Sequence, residues 1–143
     1  MAAERTASAT WNGNLTEGSG SLHSFGSGAL RNLPVTWAAR TEDSNGLTSP
    51  EELIAAAHAA CYSMSLANML FKKGFTAEQI DTSAKVTFVP GTGITTSHIV
   101  TTGRVPGATE EEFLATAEEA KVGCPVTKAL AGVEVSLEAT FEA

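Results

Sequence analysis

The stretch from Ser49 to Gly74 constrains this chain more than any other part of it. Ser49 is placed as an N-cap, Pro50 fits the first helical position, and Glu52 completes a capping box. Glu51 and Glu52 also meet the positive end of the helix dipole. The run continues to about Lys73, where Lys72 and Lys73 suit a helix C-terminus and Gly74 supplies the stop. A helix of ~23 residues is ~34 Å long. This one is apolar on most faces, so it is expected to be central and wrapped by other elements. Ala55, Ala56, Ala57, Ala59 and Ala60 allow a neighbouring element to come close. Leu53 to Phe71 is almost long enough to span a bilayer. It contains His58, Ser63, Ser65 and Asn68 and lacks a basic flank before it, which favours a buried helix of a soluble domain over a membrane span.

Composition agrees with that reading. The chain has 143 residues, 43% hydrophobic and 17% charged, which fits one globular domain over 1–143 with a core of its own. A formal charge of −7 and only nine Lys and Arg argue against nucleic acid or an anionic membrane surface as partner. The start, Met1 to Thr6, has no apolar export signal, so a cytoplasmic location is expected. In that reducing compartment a pair of cysteines, here Cys61 and Cys124, is more often catalytic or redox-active than structural.

Strands are expected on either side of the helix. Thr6 to Trp11 alternates loosely, Gly13, Gly18, Gly20, Gly26 and Gly28 punctuate the residues after it, and Val35 to Arg40 fits a strand after Pro34. Thr41 to Leu47, with Asn45 and Gly46, fits a turn or loop. Asp81 to Val89 and Ile94 to Val105 fit strands, and Thr109 to Lys121 fits a helix with a second capping box between Thr109 and Glu112. Gly123, Cys124 and Pro125 interrupt it before a short third helix over Val126 to Ala131. Val133, Val135, Leu137, Ala139 and Phe141 alternate through a last strand. The order gives an α+β fold.

Each cysteine has an ordinary structural explanation as well as a chemical one. Cys61 lies near the middle of the long helix on a face with Ile54, Ala57, Met64 and Asn68, with His58 near its edge. There it could be a small buried hydrophobe. Cys124 precedes Pro125 and so occupies the N-cap of the short helix, where free backbone N–H groups favour a thiolate. Local physics thus makes Cys124 the more activated thiol, and does not say which cysteine attacks a substrate. His23, His58 and His98 show no zinc-finger or H-E-x-x-H spacing, so no metal is expected. Gly91, Thr92 and Gly93 form too short a turn for a phosphate loop.

Two stretches carry a family resemblance. SPEELIAAAHAACYSM, from Ser49 through Cys61 to Met64, and GCPVTKAL, from Gly123 through Cys124 to Leu130, closely resemble the OsmC/Ohr family of osmotically inducible and organic hydroperoxide resistance proteins. The Cys-Pro motif with Lys128, Ala129 and Leu130 is more similar to the OsmC branch. The resemblance implies an OsmC-like fold, antiparallel β-sheets wrapped around a long central helix, and an intertwined homodimer. It implies a thiol-dependent peroxidase for organic hydroperoxides, with hydrogen peroxide as a further candidate, and with no bound metal, haem or flavin. Cys61 matches the peroxidatic thiol and Cys124 the resolving partner, the two closing a disulfide that an external lipoyl-type dithiol protein reduces. An arginine contacts the reactive sulfur in this family, held by a glutamate at the helix start. Glu51 matches that glutamate. Arg40 is assigned as the arginine, ahead of Arg5 and Arg31, because it ends the expected strand before the helix. Glu51 and Cys61 are ten residues apart on one helix, ~15 Å along its axis, so a glutamate from a second subunit fits better. Ile54, Met64, Leu66, Met69 and Phe71 are expected as apolar walls for the peroxide. Two other classes fit the same residues: a non-catalytic redox sensor or small-ligand binding protein on this fold, and a structural domain with inert thiols.

Overall fold

Side chains or a tightened last turn satisfy free backbone groups at several helix ends. The computed structural model describes residues 1–143, which form two compact units, Met1–Pro50 and Glu51–Ala143.

The first unit carries β1 (Ala7–Asn12), β2 (Ser19–Phe25) and β3 (Leu33–Val35), joined as an antiparallel sheet in that order, followed by the short helix α1 (Trp37–Thr41). The strand expected over Val35 to Arg40 is therefore replaced by a helix. Thr36 is the reason. Its hydroxyl accepts a hydrogen bond from the Ala39 amide at 3.1 Å and caps α1, and Trp37, Ala38, Ala39 and Arg40 have no β-branched residue to resist the turn. The strand β2 passes through Gly20, where a Cβ would lie 2.7 Å from the Trp11 ring. Any side chain there would press into the indole of the residue that pairs with it. The loop after α1 turns at Asn45 and Gly46, both with positive φ, as expected there.

The second unit is built on α2 (Pro50–Lys72), β4 (Gln79–Val89), β5 (Gly93–Arg104), α3 (Glu110–Gly123), α4 (Pro125–Ala129) and β6 (Glu134–Glu142). The end of α2 closes with Gly74 at φ 94°, its amide bonding the Phe71 carbonyl and that of Phe75 bonding the Leu70 carbonyl. This is a Schellman ending, which needs a residue tolerant of left-handed backbone. Both bonds of the Thr109/Glu112 capping box are present at the start of α3. The strands β4 and β5 form an antiparallel hairpin, and β6 adds in parallel beside β5 after the crossover through α3 and α4. The sheet is thus mixed rather than wholly antiparallel, because that crossover brings the chain back to start β6 at the end where β5 starts.

The core of this unit joins Tyr62, Leu66 and Leu70 of α2 with Ile99 of β5, Val105, Cys124, and Phe113, Ala117 and Ala120 of α3. The Phe113 and Phe141 rings meet at 5.5 Å between centroids. By length and composition α2 could cross a membrane. Its residues at 58, 62, 66 and 70 are instead one turn apart and buried within this unit. The opposite stripe, Ala57, Ala60, Met64, Ala67 and Phe71, is exposed in the single chain. Wrapping of α2 therefore holds for one face only within one chain.

Candidate functional site

The buried stripe of α2 and the break between α3 and α4 bring the two cysteines together. Both are free thiols, Cys61 half-buried and Cys124 fully buried, and their sulfurs share a hydrogen bond. Cys124 ends α3, with its amide bonded to the Ala120 carbonyl at 2.9 Å. It also begins α4, where Pro125 takes the first helical position and the Lys128 amide bonds the Cys124 carbonyl at 3.0 Å.

The two thiols differ electrostatically. Burial pushes the Cys124 thiol up, but the Thr127 amide, the Cys61 thiol, the Thr127 hydroxyl and the Val126 amide together carry it below the ordinary thiol range. No conventional cap bond closes on this sulfur; its larger radius makes the cradle a looser one, and its diffuse charge still responds to it. Cys61 goes the other way. Burial raises it, the Val126 amide lowers it, and the neighbouring Cys124 raises it again by accepting its hydrogen bond and by charge repulsion. When two thiols touch, only one is comfortably ionised, and here the proton rests on Cys61. Beside them, the Tyr62 hydroxyl donates to the Ala117 carbonyl at 3.0 Å, and burial pushes its ionisation upward, so it stays protonated.

Of the other two expected site residues, Arg40 belongs to the first unit and Glu51 to the second. Arg40 sits on α1 rather than at a strand end, its guanidinium 5.9 Å from the Trp37 ring. In that unit it lines a cavity of about 290 Å³ with Trp11, Leu15, Val35, Thr36, Trp37 and Pro50. Glu51 is buried in the first turn of α2, ten residues before Cys61. Of the expected apolar walls, Met64 and Phe71 are exposed and Ile54 and Met69 half-buried. Leu66 is a correction: it is fully buried in the core and faces no open space.

Helical periodicity puts His58 only near the edge of the Cys61 face. It is fully buried, with Nδ1 2.7 Å from the Ser97 hydroxyl and Nε2 2.8 Å from that of Thr127. A histidine one turn before a helical cysteine is the signal the sequence offers; its hydroxyl partners come from distant parts of the chain.

Comparison with known proteins adds four findings. The family model described as OsmC-like protein matches residues 42–138. The Peroxiredoxin OsmC of Escherichia coli strain K12 is 39% identical over 141 residues, covering 96% of each chain, and its Shigella flexneri counterpart matches equally. An organic hydroperoxide resistance protein OsmC from Legionella pneumophila shares the fold at a TM-score of 0.67 and 22% identity, covering 97% of this chain and 99% of its own. An OsmC-like protein from Mycoplasma pneumoniae superposes at a TM-score of 0.70 with 14% identity, covering both chains fully.

Proposed function

Because this chain belongs to the OsmC family, we propose that it is a thiol-dependent peroxidase for organic hydroperoxides, acting in oxidative stress defence. The observation that carries this reading is the hydrogen-bonded pair of free thiols, one half-buried and one sealed in the core. A peroxidase-type activity is also supported by the 39% identity to a protein named Peroxiredoxin OsmC.

Access divides the roles. A hydroperoxide with an organic tail can approach Cys61, whereas Cys124 is closed to it. Transfer of one proton between the touching sulfurs makes Cys61 the thiolate. It attacks the terminal peroxide oxygen, the O–O bond breaks, and the alkoxide leaves and takes up a proton as the alcohol. Cys61 is then a sulfenic acid. Cys124 attacks its sulfur, the S–S bond forms, and hydroxide departs to become water. An external dithiol, a protein-bound lipoyl group in this reading, returns the pair to thiols by exchange.

In the same reading Arg40 supplies the guanidinium that favours the Cys61 thiolate, and Glu51 the carboxylate that holds it. A carboxylate buried at a helix start suits such a charge partner. Glu51 and Cys61 are ~15 Å apart along α2, which supports a homodimer in which Glu51 comes from the second copy. Two further features support a dimer: the bare stripe from Ala57 to Phe71 on α2, and β1, which is exposed along its whole length. The cytoplasm, where lipoyl dithiols are kept reduced, is the proposed compartment.

The test is turnover of cumene or tert-butyl hydroperoxide with dihydrolipoamide by wild type, Cys61→Ser and Cys124→Ser. Cys61→Ser is expected to abolish consumption. Cys124→Ser is expected to complete one reduction and then accumulate sulfenic or overoxidised Cys61. Full turnover by Cys61→Ser would contradict the assignment.

A further inference from the structure

One buried histidine has no task in the peroxidase reading. His58 is fully enclosed between hydroxyls from β5 and α4, Ser97 at Nδ1 and Thr127 at Nε2. Burial lowers its pKa, so the ring is neutral and carries a single N–H.

Its neighbours decide which nitrogen holds that proton. Ser97 is itself fully buried, and its hydroxyl makes its one side-chain hydrogen bond to Nδ1. Were Nδ1 protonated, the Ser97 proton would be left without an acceptor inside the core, which is unfavourable. Ser97 therefore donates to Nδ1, and the ring proton sits on Nε2, donating to Thr127. The Thr127 hydroxyl, its lone pair taken, gives its own proton to the Cys124 sulfur, the bond that helps hold that thiol's pKa down. Three hydrogen bonds run head to tail, Ser97 to His58 to Thr127 to Cys124, and each polarises the next.

We propose that His58 is a positioning residue for disulfide formation, which acts through Thr127 to stabilise negative charge on Cys124 as it attacks the oxidised Cys61. This rests on the peroxidase reading above. In the step itself the Cys124 thiol loses its proton to the departing hydroxide, the S–O bond of the Cys61 sulfenic acid breaks, the S–S bond forms, and water is released. His58 stays neutral throughout and transfers no proton. Its contribution is an oriented donor chain, in place before the charge develops on sulfur.

The experiment mixes reduced full-length protein with one equivalent of cumene hydroperoxide and follows oxidation of Cys61 and closure of the disulfide as separate phases. Thr127→Val keeps the shape of the side chain and cuts the chain of donors; Thr127→Ser restores it; His58→Asn removes the ring. Thr127→Val and His58→Asn are expected to oxidise Cys61 at least as fast as wild type, because a less acidic Cys124 takes up the Cys61 proton more readily. Both are expected to lengthen the sulfenic acid lifetime about ten- to a hundredfold, the scale of one lost hydrogen bond to a charged group. Thr127→Ser is expected to recover most of that loss. In a Cys61→Ala background, which needs no peroxide, Thr127→Val is expected to raise the pH midpoint of the Cys124 thiolate ultraviolet absorbance and Thr127→Ser to restore it. An unchanged lifetime and midpoint in Thr127→Val would overturn the proposal, as would equal slowing of both phases with no rescue by serine. If wild type itself showed no oxidation at Cys61, the peroxidase reading would fail, and this proposal with it.

Discussion

The surroundings of Cys61 and Cys124 divide between them the features a peroxidase nucleophile needs. Cys124 has the donors: two amides, a hydroxyl and a neighbouring thiol all favour its thiolate. Cys61 has the access, half-buried on α2 where Cys124 is sealed. The more acidic thiol is thus not the reachable one. The difference teaches that a depressed pKa locates a redox site without naming its nucleophile. In a touching pair the proton is shared and can move to whichever sulfur is not attacking.

The comparison can be broken most forcefully by removing either sulfur. Loss of peroxide consumption in Cys61→Ser, at least about a thousandfold, is expected because no other reachable thiol remains. Cys124→Ser should retain a single turnover. A smaller effect should come from a charge on the bare face of α2. Met64→Asp, in the exposed stripe and one turn beyond Cys61, is expected to convert a dimer to a monomer in sedimentation and to lower turnover at least about tenfold, since the buried half of the helix is untouched.

The two thiols can also be titrated apart. In Cys124→Ser the repulsion and competing hydrogen bond that raise Cys61 are gone, so the pH midpoint for Cys61 alkylation should fall. In Cys61→Ala the bond that helps lower Cys124 is gone, so the pH midpoint of its thiolate ultraviolet absorbance should rise. Opposite movements are the expected outcome. Movement of both in one direction would mean that burial, not contact between the sulfurs, sets their acidity.

The smallest effect concerns the histidine beneath Cys124. Burial depresses the pKa of His58 below its ordinary 6.5, so below that pH the unfolded chain binds more protons than the folded one. The stability linked to this group is present above about pH 6.5 and lost as pH falls below it. Denaturation midpoints should therefore drop from about pH 7.5 to about pH 5, and drop less in His58→Asn.

How far each feature could be foreseen from the residues depends on the distance over which it is determined. The start of α3 was legible because Thr109 and Glu112 cap it within one turn. The end of α2 was legible because Gly74 tolerates the backbone that closes it. The segment around Arg40 was not. Pro34 and Val35 favoured extending the strand, while one hydroxyl, that of Thr36, started a helix two residues on. Passage of β2 through Gly20 was hidden because its reason is the Trp11 ring on the paired strand. Both cysteines stand in motifs and are found there. The partners of His58 lie 39 and 69 residues away, and no local pattern announces them. Parallel pairing of β6 with β5 is likewise set by the whole crossover.

The division of labour between an accessible and an acidic thiol is tested most directly by finding which sulfur takes the oxygen. Reduced Cys61→Ser and Cys124→Ser proteins would each be given one equivalent of cumene hydroperoxide, trapped with a sulfenic-acid reagent and mapped by mass spectrometry. The trapped oxygen is expected on Cys61 in Cys124→Ser, with no adduct on Cys124 in Cys61→Ser. Rapid oxidation of Cys124 in the protein lacking Cys61 would show that acidity, not access, selects the nucleophile, and would contradict the assignment.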